Sequence, residues 1–142
     1  CMGALVAAHP ESKQQAGDAG GVDVICEALK GYTGHEGLQQ VALWALGSLA
    51  ANASDNSSRI GRKGGIQLII SAMRNFSDNP QLQEMGCWAL ANIAASSQRC
   101  AEYIGKKEGP QVIISAMKQF PKAPNVQYTG VVALSHLGSD AA

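Results

Sequence analysis

Two runs of apolar residues alternate along this chain, and the whole pattern returns after 44 residues. Lys63 to Phe76, with its Leu68-Ile69-Ile70 and Ala72-Met73, lies over Lys107 to Phe120 without a gap. Leu38-Gln39-Gln40-Val41-Ala42-Leu43-Trp44-Ala45-Leu46 lies in the same way over Leu82 to Leu90, and the third copy is Val126 to Leu134. Between residues 21–64 and 65–108, thirteen of 44 positions are identical, and further positions, such as Val22 over Ile66 and Leu29 over Met73, exchange one apolar residue for another. An ungapped match of that length marks an internal repeat, which decides the fold before any single element does.

Each copy contains three helical segments. A short one, around Asn56 to Arg62 and Gln98 to Lys106, carries few apolar residues besides Ile60 and Ile104. Gly64-Gly65, and Gly109 in the next copy, are expected to end it, because glycine accepts the positive φ of a helix exit. Ile66 to Phe76 and Val112 to Phe120 form the second segment, closed by Ser77-Asp78-Asn79-Pro80 and Pro121-Lys122-Ala123-Pro124. Leu38 to Ala51, Leu82 to Ala95 and Val126 to Leu137 form the third and longest. Leu68-Ile69-Ile70 alone would suit a buried strand, but its Ala, Met and Arg continuation favours a helix. The reading is an all-α solenoid in one continuous domain: residues 1–20 as the tail of a preceding repeat, 21–64 and 65–108 as whole repeats, and 109–142 as a partial one. Cys1 to Leu5 fall in the register of Ala45 to Leu49, and neither end carries a polar capping repeat, so a longer natural protein is expected. Open ends of this kind also predict self-association through them.

On the third helix, at about 100° per residue, Leu38, Ala42, Ala45, Leu46 and Leu49 share the side that faces the core. Gln40, Trp44 and Ser48 form a second stripe about 150° away, continued by Glu84, Trp88 and Asn92 and then by Tyr128, Val132 and His136. Stacking brings these stripes side by side into a ladder of aromatic and polar groups. Such a ladder suits an extended peptide, since flat rings lie against aliphatic stems and an Asn amide can bond a peptide backbone. The competing reading is that each Trp packs on the neighbouring third helix and covers the ridge between repeats.

Leu82-Gln83-Glu84-Met85-Gly86-Cys87-Trp88-Ala89-Leu90-Ala91-Asn92-Ile93-Ala94, with the Gly-Gly turn and the short leading helix, resembles the third-helix signature of the armadillo repeat family. That resemblance implies a right-handed α-solenoid of three-helix repeats that holds other proteins, an extended peptide or a helix, along a concave third-helix surface. Members of the importin alpha type grip basic peptides with a Trp followed four residues later by Asn. Trp88 and Asn92 match this pair, Trp44 with Ser48 keeps half of it, and Val132 with His136 keeps neither. Glu84 is the one carboxylate in the stripe, where basic peptides call for an acidic lining. The resemblance therefore implies the location of binding more than the ligand.

Composition excludes several other classes. Eleven basic residues balance eleven acidic ones, so no net field draws nucleic acid or an anionic membrane. No apolar run reaches the roughly 18 residues of a membrane span. Cys1, Cys26, Cys87 and Cys100 include no CxxC pair and no ligand-spaced His, which argues against a metal site or disulfide framework and for a reducing intracellular setting, cytoplasmic with a nuclear alternative. Cys26 and Cys87 stand where Ile70 and Leu43 stand in other copies, as small apolar core residues. His9, His35 and His136 fall far apart in the register, so no nucleophilic constellation forms and neither catalysis nor a cofactor is expected. The expected function is a protein-interaction scaffold or adaptor, with a purely architectural solenoid segment as the alternative.

Overall fold

The computed structural model describes residues 20–138. Among them the chain forms α1 (Gly21–Gly31), α2 (Glu36–Ala50), α3 (Ser54–Arg62), α4 (Gly65–Asn75), α5 (Pro80–Ser96), α6 (Gln98–Lys106), α7 (Gly109–Gln119) and α8 (Pro124–Gly138). The expected tail of a preceding repeat over 1–20 lies outside the described residues save for Gly20, as do Cys1, His9 and the last four positions. Helices α2, α5 and α8 are the three long segments. Helices α1, α4 and α7 are the second segments, and α3 and α6 are the short ones. Each packs on its counterpart in the next copy, so the molecule is three rows of helices in an all-α solenoid.

Local chemistry sets the helix ends. His35 Nδ1 accepts from the Leu38 amide and Asn79 Oδ1 from the Leu82 amide, each at 3.0 Å, so one side chain at the same register caps α2 and α5. Ser97 caps α6 through the Cys100 amide at 3.3 Å. The turn into each second helix has positive φ at the same register: 93° at Gly20, 75° at Gly64 and 70° at Glu108. In the third copy the turn thus falls one residue before the expected Gly109. Glu108 takes the left-handed conformation at a cost of about 1 kcal/mol, with its carboxylate 3.0 Å from Arg74 of the preceding copy. Gly109 is small for a different reason, since a Cβ there would run into the Ile104 side chain and lie 2.6 Å from its carbonyl oxygen.

The core runs unbroken between the rows. Leu29, Leu43, Leu46, Ile60, Ile66, Ile69, Met73, Leu82, Leu90, Ile93, Ile104 and Ile113 are its largest buried side chains. Glycine sets the approach of second to third helix in two copies. A Cβ on Gly86 or Gly130 would stand 2.5 Å from the sulfur of Met73 or Met117, and the equivalent pair in the first copy is Ala42 and Leu29. One polar device repeats in all three. Gln39 Nε2 donates to the carbonyls of Leu29 (3.1 Å) and Tyr32 (2.8 Å). Gln83 makes the same bonds to Met73 (2.9 Å) and Phe76 (3.1 Å), and Gln127 to Met117 (2.8 Å) and Phe120 (3.1 Å). These carbonyls end their helices without intrahelical partners, and a buried amide on the third helix satisfies them.

Replacing this amide with an apolar group of similar size removes the Met73 carbonyl's bond and leaves the Phe76 carbonyl with the Asn79 amide alone. Gln83→Leu is expected to lower stability by about 2 kcal/mol in urea unfolding, with helicity unchanged before the transition.

Candidate functional site

The three long helices carry the nine ladder residues in three sets: Gln40, Trp44 and Ser48 on α2, Glu84, Trp88 and Asn92 on α5, and Tyr128, Val132 and His136 on α8. Tyr128 is 72% exposed. Gln40, Trp44, Glu84, Trp88, Asn92, Val132 and His136 are each half-buried. Ser48 departs from the expected stripe: at 1% exposure it lies beneath the surface and cannot meet a partner there. A wheel drawn for α2 alone misses this, because α5 packs along the flank of α2 and widens its buried arc.

Trp88 and Asn92 both reach back to one residue of the preceding copy. A Cβ on Gly47 would fall 2.6 Å from Cε3 and Cζ3 of the Trp88 ring and 3.1 Å from the Ala89 Cα, so the indole lies directly on bare α2 backbone. Asn92 Nδ2 donates to the Gly47 carbonyl at 3.0 Å. Trp88 therefore covers the ridge between copies, as the competing reading expects, while staying partly exposed. Sequence reasoning passed over Gly47, although a spacing signals it. A Gly stands 41 residues before each Trp, Gly3 before Trp44 and Gly47 before Trp88, while Ala91 stands 41 before the smaller Val132. Asn79 was also missed as a neighbour of the ladder. Its Nδ2 donates to Glu36 Oε2 at 2.7 Å and to Gln40 Oε1 at 3.2 Å, tying the start of α5 to α2.

These bonds leave polar capacity unspent. Among the described residues, the indole N–H groups of Trp44 and Trp88, the Glu84 carboxylate, the Tyr128 hydroxyl and Asn92 Oδ1 have no hydrogen-bond or ion-pair partner. The surface offers donors and acceptors on a rigid base, a chemistry of recognition. The thiols do not add a reactive centre. Burial pushes the Cys87 thiol from an ordinary 9.0 up to about 12, with a side-chain hydrogen bond to Thr129 acting the other way. Burial likewise raises Cys26, partly offset by Lys30. Cys100 is buried too, and its Sγ donates to the Ser57 carbonyl at 3.4 Å across the joint between copies. Among the described residues no three His, Cys, Asp or Glu side chains gather closely enough to hold a metal, and no helix is long and apolar enough to cross a membrane.

Comparison with known proteins supports the repeat. Residues 9–51 match the family model of the Armadillo/beta-catenin-like repeat. The crystal structure of an engineered protein is similar with a TM-score of 0.85 at 23% identity, over 97% of this chain and 53% of the engineered one. At that identity the likeness shows the fold, and this chain spans about half of that protein's length. No curated protein matches the chain.

Two measurements check the packing. Gly47→Ala is expected to cost about 2 kcal/mol by overlap with the indole, against a gain of about 1 in helix propensity. In a Trp88→Val background most of that cost should disappear, leaving the tight approach to the Ala89 Cα, and an unchanged cost there would disprove the indole contact. The raised Cys87 pKa keeps its thiol neutral in the folded chain, so iodoacetamide should label Cys87 only on unfolding. Stability should fall as pH rises from 9.0 towards 12, where the unfolded state alone ionises this thiol.

Proposed function

We propose that the chain is an armadillo-type protein-interaction module, as the match over residues 9–51 and the recurrence of the same three-helix unit along the chain support, and that it holds an extended peptide or a helix against the third-helix face of α2, α5 and α8. One observation carries the reading: aromatic and polar groups with unspent hydrogen bonds recur along that face at the repeat spacing, on a base already locked by Trp88 and Asn92. Asn92 is fixed by its Gly47 bond before a ligand arrives, so its Oδ1 can accept a peptide amide with little loss of freedom. Trp44, Trp88 and Tyr128 supply flat surface for aliphatic stems. Armadillo repeats are typically non-enzymatic scaffolds, and the role proposed here is a scaffold or adaptor in a reducing intracellular compartment. Buried, unpaired Cys26, Cys87 and Cys100 support that setting.

Importin-like gripping of basic peptides has less support. It requires an Asn four residues after each Trp, and in α2 that place belongs to the buried Ser48. Val132 and His136 replace the pair in α8, and Glu84 alone supplies acidity.

Peptides selected against the chain from a random displayed library provide the test, with affinity read by fluorescence anisotropy. Trp44→Ala and the Glu84→Ala/Tyr128→Ala double variant are each expected to weaken binding at least about tenfold, near 1.4 kcal/mol. Neither variant touches the Gly47 packing, and far-UV circular dichroism checks that each remains helical before its affinity is compared. Selected peptides whose affinity is the same for all three proteins would remove the ladder as the site.

A further inference from the structure

Charge is balanced over the whole chain but not over its rows of helices. The short helices α3 and α6, with the turn after each, hold Arg59, Arg62, Lys63, Arg99, Lys106 and Lys107, six of the eleven basic residues, against only Asp55 and Glu102 of the eleven acidic ones. Arg62-Lys63 and Lys106-Lys107 stand at the same registers of successive copies. The row of short helices is therefore a basic ridge on a neutral molecule, and it carries none of the ladder residues.

Between α3 and α6 this ridge opens into a hollow of about 430 Å³, within the roughly 300 to 1,000 Å³ of small-ligand sites. The hollow lies at the joint between two consecutive copies, away from both ends of the described solenoid. Arg62, in the last turn of α3, and Arg99, in the first turn of α6, line it together with the hydroxyl-bearing Ser58 and Tyr103. Among the described residues neither arginine has a hydrogen-bond or ion-pair partner, and no carboxylate lines the hollow. Other cations are matched, Lys30 by Glu27, Lys63 by Asp23 and Arg74 by Glu108.

The walls are fixed without a ligand. Ser57 Oγ and Ser96 Oγ share a hydrogen bond across the joint. Cys100 Sγ donates to the Ser57 carbonyl at 3.4 Å, and a Cβ on Gly61 would lie 3.1 Å from that sulfur. Ile66, 1% exposed, closes the floor. The Lys107 ammonium stands 5.7 Å from the centre of the Tyr103 ring and adds positive charge at the rim.

This donor set selects among anions. A carboxylate carries one negative charge and leaves one of the two guanidinium groups unbalanced, whereas a phosphomonoester carries nearly two near neutral pH and three acceptor oxygens, enough for both. At about 30 Å³ for a water molecule, the hollow takes many more atoms than a phosphoryl group, so the side chain that bears it fits as well.

We propose that the hollow between α3 and α6 binds a phosphorylated side chain of a partner peptide, with Arg62 and Arg99 gripping the phosphoryl oxygens and Lys63, Lys106 and Lys107 attracting acidic residues on either side. The site shares no residue with the ladder, so either can fail without the other.

Titration of the isotope-labelled full chain with the peptide Ala-Glu-Gly-phosphoserine-Gly-Glu-Ala, followed by heteronuclear NMR, tests this. Amide shifts are expected within residues 58–66 and 99–103, with an affinity at least about tenfold above that of the same peptide carrying plain serine. Arg62→Ala and Arg99→Ala should each weaken the phosphopeptide at least about tenfold, whereas Lys122→Ala, which removes a charge from the turn before α8, should leave it unchanged. All three positions are exposed, so each variant should fold, which far-UV circular dichroism checks. Equal affinity for the plain-serine peptide, shifts confined to other residues, or an equal loss in Lys122→Ala would overturn the proposal. A peptide with glutamate in place of phosphoserine that binds as tightly would overturn the phosphoryl assignment. Inorganic phosphate that binds as tightly as the phosphopeptide would overturn the peptide as its source.

Discussion

The close seating of each long helix on the one before it is the constraint on which the rest of the structure depends. No copy can bury its own apolar surface, because the flanks of α5 are completed only by α2 and α8. The distance between these helices is set by what stands at a few registers. Gly47 lets the Trp88 ring rest on backbone, and Asn92 bonds the same residue's carbonyl. A contact usually described as packing is here also what holds Trp88 and Asn92 in place. Their positions are inherited from the stacking and need no loop to arrange them.

Within a copy a second constraint operates. Helices two and three meet across a turn that leaves terminal carbonyls buried, and a glutamine amide at the same register satisfies two of them in each copy. Beneath them Met73 and Met117 fill space that Gly86 and Gly130 leave open. Methionine suits this place because its unbranched chain adapts to an irregular gap. The chain thus uses small residues on the long helices twice, against an indole between copies and against a thioether within them.

Much of this was legible in the sequence, for definite reasons. The helices fall within about two or three residues of where the apolar periodicity and the Asn79-Pro80 and Ala123-Pro124 breaks put them. Periodicity reports which residues a helix hides, and the repeat offset reports which helix follows. The stripe was legible in direction but not in depth. Ser48 is buried because a wheel treats a helix as having one packed side, whereas α2 is covered by its own second helix and by the next long helix. Gly109 was read as the turn residue since glycine usually takes positive φ, yet Glu108 takes it, held in a fold that two neighbouring rows over-determine. The glutamine bonds could not be read at all: Gln39, Gln83 and Gln127 stood out as identities, but nothing in a sequence says that an amide on one helix reaches a carbonyl on another.

Those glutamine bonds have a mechanical consequence. They tie the second and third helices of the same copy and never cross to the next, whereas the joints between copies combine apolar surface with the bonds of Asn79, Asn92 and Cys100. Under load each copy would move as one plate, and the few cross-joint bonds would act as pins that fix how neighbouring plates slide and turn.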